Sequence, residues 1–185
     1  HNIWNDIKYI FFVIILGGIV IGCSKSDFID LKTPIEQRYS GIEYNKQIEI
    51  GSVYYWEEDK GAQSKLNREV AFGDEIYAEL INNTNKYIRF PYDWGVYKYA
   101  FDENNSTWIE VEDESNTVDG GPLILEPMEP EIPPGVFFFE PSFPSTLDPN
   151  SKDIPVRLVI IGTIIDQDTD KNEKVGAYID LFLDP

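Results

Sequence analysis

Carboxylates are the reactive groups that this chain has in quantity, with 33 Asp and Glu residues among 185. It has one histidine, His1, and one cysteine, Cys23. Because His1 falls in the signal segment predicted below, the mature chain would lack the residues for Ser-His-Asp or Cys-His catalysis and for ordinary zinc sites. A glycosidase needs two carboxylates about 5 to 9.5 Å apart in a cleft, and short loops offer little cleft. We therefore predict that the protein is not an enzyme.

One acidic segment has the alternating spacing of a calcium loop. Its oxygen-bearing side chains are Asp166, Asp168, Asp170 and Asn172. A helix-loop-helix calcium site has Gly at loop position 6 and a bidentate Glu at position 12, where this chain has Lys171 and Ala177. That version therefore fails. A calcium site at a hairpin tip and a plain solvated turn are the remaining interpretations, and we expect the turn.

Two aromatic groups are candidates for binding a sugar or a partner protein. They lie in the segments Tyr54-Tyr55-Trp56 and Tyr92-Asp93-Trp94. Exposed, the side chains of Tyr55, Trp56, Tyr92 and Trp94 could stack on a sugar or anchor a protein. The alternative is that they fill the core, which is what we expect for Trp108 in its alternating strand.

A proline-rich stretch, residues 120–155, contains nine of the twelve prolines and a short phenylalanine cluster. Proline cannot donate to a sheet ladder, so any strands here should be short or lie at an edge. Neighbouring strand residues point to opposite faces. We expect Phe137 and Phe139 in the core, and Phe138 covering a sheet edge or meeting a partner.

The amino-terminal stretch carries the clearest motif. An apolar run from Tyr9 to Ile21 ends in Val20-Ile21-Gly22-Cys23. With a branched apolar residue at −3, a small residue at −1 and a thiol, this motif resembles the lipobox of bacterial lipoproteins. The resemblance implies a diacylglyceryl group on Cys23, cleavage before that residue, and acylation of the new amino group. It also implies a cell-membrane location on the extracytoplasmic face.

The alternative for the same stretch is a membrane helix that stays uncleaved. The run of about thirteen residues is nearer the length of a signal segment than the roughly 20 needed to span a bilayer. We therefore predict a signal peptide over residues 1–22, the lipidated cysteine and a flexible tether over 23–45, and a folded domain over 46–185. The tether would hold the domain on the order of 25 Å from the membrane.

The net charge of −18 also limits the partners. Such a surface repels phosphate backbones, so DNA and RNA binding are excluded. The expected contacts are the membrane, through the lipid, and an envelope protein or glycan. No cofactor is expected beyond the covalent lipid.

The rest of the chain has the pattern of an all-β protein. Alternating or β-branched segments occur at residues 46–56, 76–81, 87–90, 96–101, 107–111, 156–165 and 174–183. Turn residues separate them, and no convincing amphipathic helix is present. We predict a single antiparallel, immunoglobulin-like β-sandwich of about 7–9 strands.

A second resemblance concerns residues 76–127. The sequence Leu80-Ile81-Asn82-Asn83-Thr84, with the aromatic positions that follow and Leu125-Glu126-Pro127, is similar to the sandwich domain of the bacterial intracellular proteinase inhibitor family. It implies the fold and no functional residues. The expected function is binding by a membrane-anchored lipoprotein of the cell envelope. The alternatives are a carbohydrate-binding module and a secreted protease inhibitor.

Overall fold

In the computed structural model the described residues are 29–57, 62–65, 69–71, 75–91, 96–111, 123–128, 130–131, 137–138, 147–148, 150–166 and 172–184. The chain divides after Asp30, and Leu31–Pro185 form one compact unit. Cys23 and the rest of the predicted signal lie outside the described residues. Within the described part, no helix is long and apolar enough to cross a membrane.

The described elements are one short helix and twelve strands. They are α1 (Pro34–Arg38), β1 (Ile48–Glu57), β2 (Ala62–Lys65), β3 (Glu69–Ala71), β4 (Glu75–Asn82), β5 (Tyr87–Arg89), β6 (Val96–Asp102), β7 (Thr107–Glu110), β8 (Ile124–Leu125), β9 (Pro130–Glu131), β10 (Phe137–Phe138), β11 (Ile154–Ile165) and β12 (Lys174–Asp184).

The first sheet has the order β10-β4-β1-β2, with β9 also paired to β4. Strand β1 pairs antiparallel with β4, and the register shifts between Ile50 and Ser52, on either side of Gly51. The inward positions Ala78 and Leu80 are fully buried, as their alternation predicts. The two-residue strands β9 and β10 lie at the edge of this sheet, as proline-rich sequence requires.

The second sheet is built around β11 and β12, which lie at the predicted segments 156–165 and 174–183 and pair antiparallel, with Thr163 opposite Lys174. On its other side β11 pairs with β6 over Val156–Ile160 and with β5 over Thr163–Ile165. Strand β7 extends the β6 end, and β8 extends the β5 end. The short strand β3 adds to β12 in parallel.

Residues from both sheets share one apolar core. Its fully buried members include Ile48, Leu80, Ile88, Leu158 and Leu181. The prediction of an all-β, mainly antiparallel sandwich is confirmed. The structure describes twelve strands, more than the expected 7–9. The strands absent from the predicted segments, β2, β3, β8, β9 and β10, have only two to four residues and are too short to show a period in the sequence.

The amino-terminal part of this unit corrects the predicted tether. Residues 31–45, here called the strap, pack against the outer face of the second sheet instead of forming flexible coil. The buried side chains of Thr33, Ile35 and Glu36 belong to this segment. The folded part therefore begins near Leu31, and not at residue 46.

Candidate ligand-binding site

A buried arginine on β11 fixes the strap to the sheet. Arg157 lies on the outer face and is only 4% exposed. Its Nε and Nη2 donate to the two carboxylate oxygens of Asp180 on β12, at 2.7 and 2.9 Å. Its Nη1 donates to Glu36 Oε2 at 3.2 Å and to the carbonyl of Leu31 at 3.3 Å. One guanidinium thus joins β11 and β12 of the second sheet to the strap.

Two aromatic rings enclose the same guanidinium. Its central carbon lies 4.9 Å from the Trp108 ring centroid and 4.3 Å from that of Tyr178, within cation–π range. The indole Nε1 of Trp108 donates to the Leu31 carbonyl at 2.7 Å. Trp108 is buried, as expected, but it lies between the sheet and the strap and not between the two sheets.

The strap helix α1 begins with a capping box whose glutamate, Glu36, is also the residue that binds Arg157. The Thr33 hydroxyl accepts from the Glu36 backbone N–H, and Glu36 Oε2 accepts from the Thr33 backbone N–H at 2.9 Å. Pro34 occupies the first turn, where its missing N–H costs nothing. Because Glu36 also binds Arg157, the same carboxylate caps the helix and holds it on the sheet.

The carboxyl-terminal half of the strap is held by a tyrosine and a glycine. The ring of Tyr44 lies over Gly176, where an added Cβ would be 2.6 Å from Tyr44 Cε1. The backbone N–H of Asn45 donates to the Gly176 carbonyl at 3.0 Å, and the Asn45 side chain accepts from the Tyr178 N–H at 2.9 Å. Asn45 has a left-handed φ of 60°, which asparagine tolerates better than most residues.

Burial perturbs two tyrosines of this layer. Desolvation, and then the nearby charge of Glu36, raise the pKa of Tyr44 to about 12. Desolvation, with Glu110 next, raises the pKa of Tyr99 to about 12. The Tyr44 hydroxyl is buried and has no hydrogen-bond partner within the described part of the chain. Both phenols are therefore held in the neutral form, and neither has the lowered pKa of an activated nucleophile.

The strap forms one wall of an open cleft of about 700 Å³. The opposite walls are the start of β12 and the segment leading into β1. The cleft is lined by Arg38, Tyr39, Ser40, Gly41, Ile42, Glu43, Lys46, Gln47, Glu173 and Lys174. Its volume lies within the range of about 300 to 1,000 Å³ that is usual for small-molecule sites. The structure therefore offers a concave surface built from two parts of the chain that are far apart in sequence, residues 38–47 and residues 173–174.

Hydrogen bonds and ion pairs order several of the polar groups around the cleft. Lys46 forms an ion pair with Glu43, and Gln47 Nε2 donates to Glu173 Oε1 at 3.0 Å. Lys174 Nζ donates to the Thr163 hydroxyl at 2.8 Å. Glu43 and Glu173, the acidic side chains of the cleft, therefore already have partners in the walls.

The described residues that line this cleft include none of the binding candidates selected from the sequence. Tyr55 and Trp56 lie in β1, opposite Ser64 and Gln63 of β2, and their side chains lie outside the described part. Phe138 lies in the edge strand β10, opposite Glu75, and its side chain is likewise outside it. Tyr92 and Trp94 are not among the described residues. For all five, the choice between core and partner contact stays a prediction.

Only one of the three metal candidates falls in the described part. Asp166 accepts from Lys86 Nζ at 2.5 Å, and a cation would have to displace this ammonium group. Asp168 and Asp170 lie outside the described residues. No group of three or more potential metal ligands occurs among the residues that are described.

Two features of the sequence indicate that a folded strap covers β11. Thr33-Pro34-Ile35-Glu36 has the spacing of a capping box with proline in the first turn. In addition, β11 is apolar at nearly every position, which is typical of a strand buried on both faces. Val159 and Ile161 are buried on its outer face, and their burial shows that this face is covered.

Comparisons of the chain with protein-family models, with curated proteins and with solved structures found no match.

Proposed function

We propose that this protein is a non-enzymatic, lipid-anchored binding protein that acts on the extracytoplasmic face of the cell membrane and holds its ligand in the cleft. The observation that carries the binding part is the cleft itself, about 700 Å³ in volume and lined by polar and apolar groups. The anchoring part rests on Val20-Ile21-Gly22-Cys23.

The walls of the cleft favour ligand binding because they are held before any ligand arrives. The Glu36–Arg157 contact and the capping box hold the amino-terminal end of the strap. Asn45 and the ring of Tyr44 hold its other end on β12. Binding to a preformed site is tighter because less conformational entropy is lost in ordering loops.

The folded strap also limits how far the domain reaches from the membrane. If Cys23 carries the lipid, eight peptide steps separate it from Leu31. Even fully extended, that length covers only about 28 Å. The domain would therefore work close to the bilayer surface, on ligands or partners that lie near the membrane.

Among the alternatives, a carbohydrate-binding module is favoured by the mixture of donors, acceptors and a tyrosine ring in the cleft. A protease inhibitor would require a protruding loop from residues 120–155, most of which lie outside the described residues, so that alternative stays a prediction. The lining of the cleft is the observation that favours glycan binding.

A cleft-blocking variant tests the binding function. A Cβ added at Gly41 would have nothing within 4 Å, so Gly41→Phe should add bulk to the cleft without disturbing the fold. Glu103→Phe adds the same ring to an exposed turn outside the cleft and is the matched control. The full chain, carrying Cys23→Ser to prevent lipidation, is screened by amide chemical shifts against a panel of neutral and charged saccharides and short peptides.

We expect shifts that cluster at the cleft and disappear in Gly41→Phe but persist in Glu103→Phe. Ligand-induced shifts that cluster elsewhere and are equal in both variants would show that the cleft is not the binding site. Anchoring is tested separately with the native chain, which should fractionate with membranes and carry lipid mass on Cys23. Unchanged membrane retention and unchanged mature mass in Cys23→Ser would refute the anchor.

A further inference from the structure

The cleft reverses the charge balance of the rest of the chain. The whole sequence has 15 basic against 33 acidic residues. The cleft has three basic residues, Arg38, Lys46 and Lys174, against two acidic ones, Glu43 and Glu173. With an excess of one basic residue, the lining repels anions less than the chain as a whole, whose net charge is −18.

The basic residues differ in how they are engaged. Lys46 is paired with Glu43, and Lys174 donates to Thr163. Arg38 is the last residue of α1 and is exposed. The structure gives it no hydrogen bond or ion pair with any described residue. Its planar fork of donors, which suits carboxylate and phosphate groups, is therefore available to a ligand.

The remaining lining suits a molecule rich in hydroxyl groups. Ser40 offers a donor and an acceptor, and the Gln47 carbonyl oxygen and the second Glu173 carboxylate oxygen are acceptors outside the hydrogen bond that joins these two side chains. Tyr39 and Ile42 supply apolar surface to the same cleft. A sugar ring presents both kinds of surface, because its C–H face stacks on aromatic rings while its hydroxyls donate and accept. An inorganic anion would use only the charged groups.

Together these observations lead to a ligand class, and the inference rests on the proposed binding function. We propose that the cleft binds a sugar that carries a carboxylate or phosphate group, and that Arg38 is the residue that binds this anionic group. Lys174 adds a second positive charge to the cleft, and the amide, hydroxyl and tyrosine groups contact the sugar ring.

Four probes separate the parts of this proposal: glucuronate, glucose 6-phosphate, glucose and inorganic phosphate. Titrations of the full chain with Cys23→Ser are followed by amide shifts at the cleft and by calorimetry. We expect at least one acidic sugar to bind 10-fold or more tightly than glucose. Arg38→Gln should weaken that binding about 10- to 100-fold, as expected for one lost charge-assisted interaction, and Arg38→Lys should restore part of it.

Arg89→Gln is the matched control, because Arg89 is exposed on β5 and does not line the cleft. It should leave the affinity unchanged. Binding of glucuronate alone assigns a carboxylate source, and binding of glucose 6-phosphate alone assigns a phosphate source. Either result supports the inference.

Three results would overturn it. Equal affinities for glucose and the acidic sugars would remove the role of the anion while leaving the cleft as a binding site. Equal affinities for inorganic phosphate and the acidic sugars would show an adventitious ion only. No shift with any probe would refute the ligand class, and the Gly41→Phe screen would then decide the binding function independently.

Discussion

The Glu36–Arg157–Asp180 cluster should decide whether the strap stays on the sheet. Glu36 Oε2 accepts three hydrogen bonds, from the Thr33 backbone, the Thr33 hydroxyl and Arg157, at 2.9, 2.7 and 3.2 Å. Glu36 and Arg157 are 3% and 4% exposed, so water cannot replace the lost contacts. Truncating one member of a buried ion pair typically costs about 3–5 kcal/mol.

The structure allows the variants to be ranked within that range. After Glu36→Ala, Arg157 keeps its two-point contact with Asp180, so we expect a loss near 3 kcal/mol, including the cap. After Arg157→Met, the carboxylates of Glu36 and Asp180 lose the cation that they share, so we expect about 5 kcal/mol. Glu43→Ala removes an exposed ion pair of the same strap and should cost less than about 1 kcal/mol.

Urea unfolding in parallel by far-UV circular dichroism and tryptophan fluorescence measures these values. Trp108 lies 4.9 Å from the Arg157 guanidinium, so fluorescence should report detachment of the strap even where the sheets stay folded. Glu36→Ala and Glu43→Ala of equal stability would refute the reasoning. The strap would then be held by apolar contacts, with no net contribution from the buried charges.

Three further outcomes are expected. Gly176→Ala should lower the free energy of unfolding by about 1–3 kcal/mol, because its Cβ would lie 2.6 Å from the Tyr44 ring. Gly41→Ala should be nearly neutral, because nothing lies within 4 Å of its added Cβ. Equal melting temperatures of the two variants would contradict the packing of Tyr44 on Gly176. Tyr44 and Tyr99 have folded pKa values of about 12 against about 10 when unfolded, so their contribution to stability is complete below pH 10 and is lost as the pH rises towards 12. The melting temperature should fall over that window, and less so in a double Tyr→Phe variant. Chelation with EDTA should leave the melting temperature unchanged, because Asp166 is already paired with a lysine; a fall of several degrees would establish a calcium site.

The β architecture follows from local sequence, because each strand's pattern depends on its own residues. Side chains alternate with a period of two, so Ala78 and Leu80 had to share a face. The long β-branched runs of β11 and β12 around a polar turn required a hairpin, and in the structure the two strands pair up to Thr163 and Lys174 at the turn. Short strands such as β8 and β9 form only because a neighbouring strand supplies their hydrogen bonds, so their own residues could not reveal them.

The strap and its cleft were decided by tertiary structure. The capping box at Thr33 is a local feature, but it could not show that Glu36 is buried against an arginine 121 residues away in the sequence. Likewise, the sequence shows Gly176 only as a glycine within a strand, and the structure shows that the ring of Tyr44 lies over it. A buried charge is tolerated only where its partners converge in space, and that convergence depends on the register of β11 with β12 and on the return of the strap to the same face. The sequence therefore determined which segments form the longer strands. Long-range pairing decided where the short edge strands form, which face the strap covers and where the cleft opens.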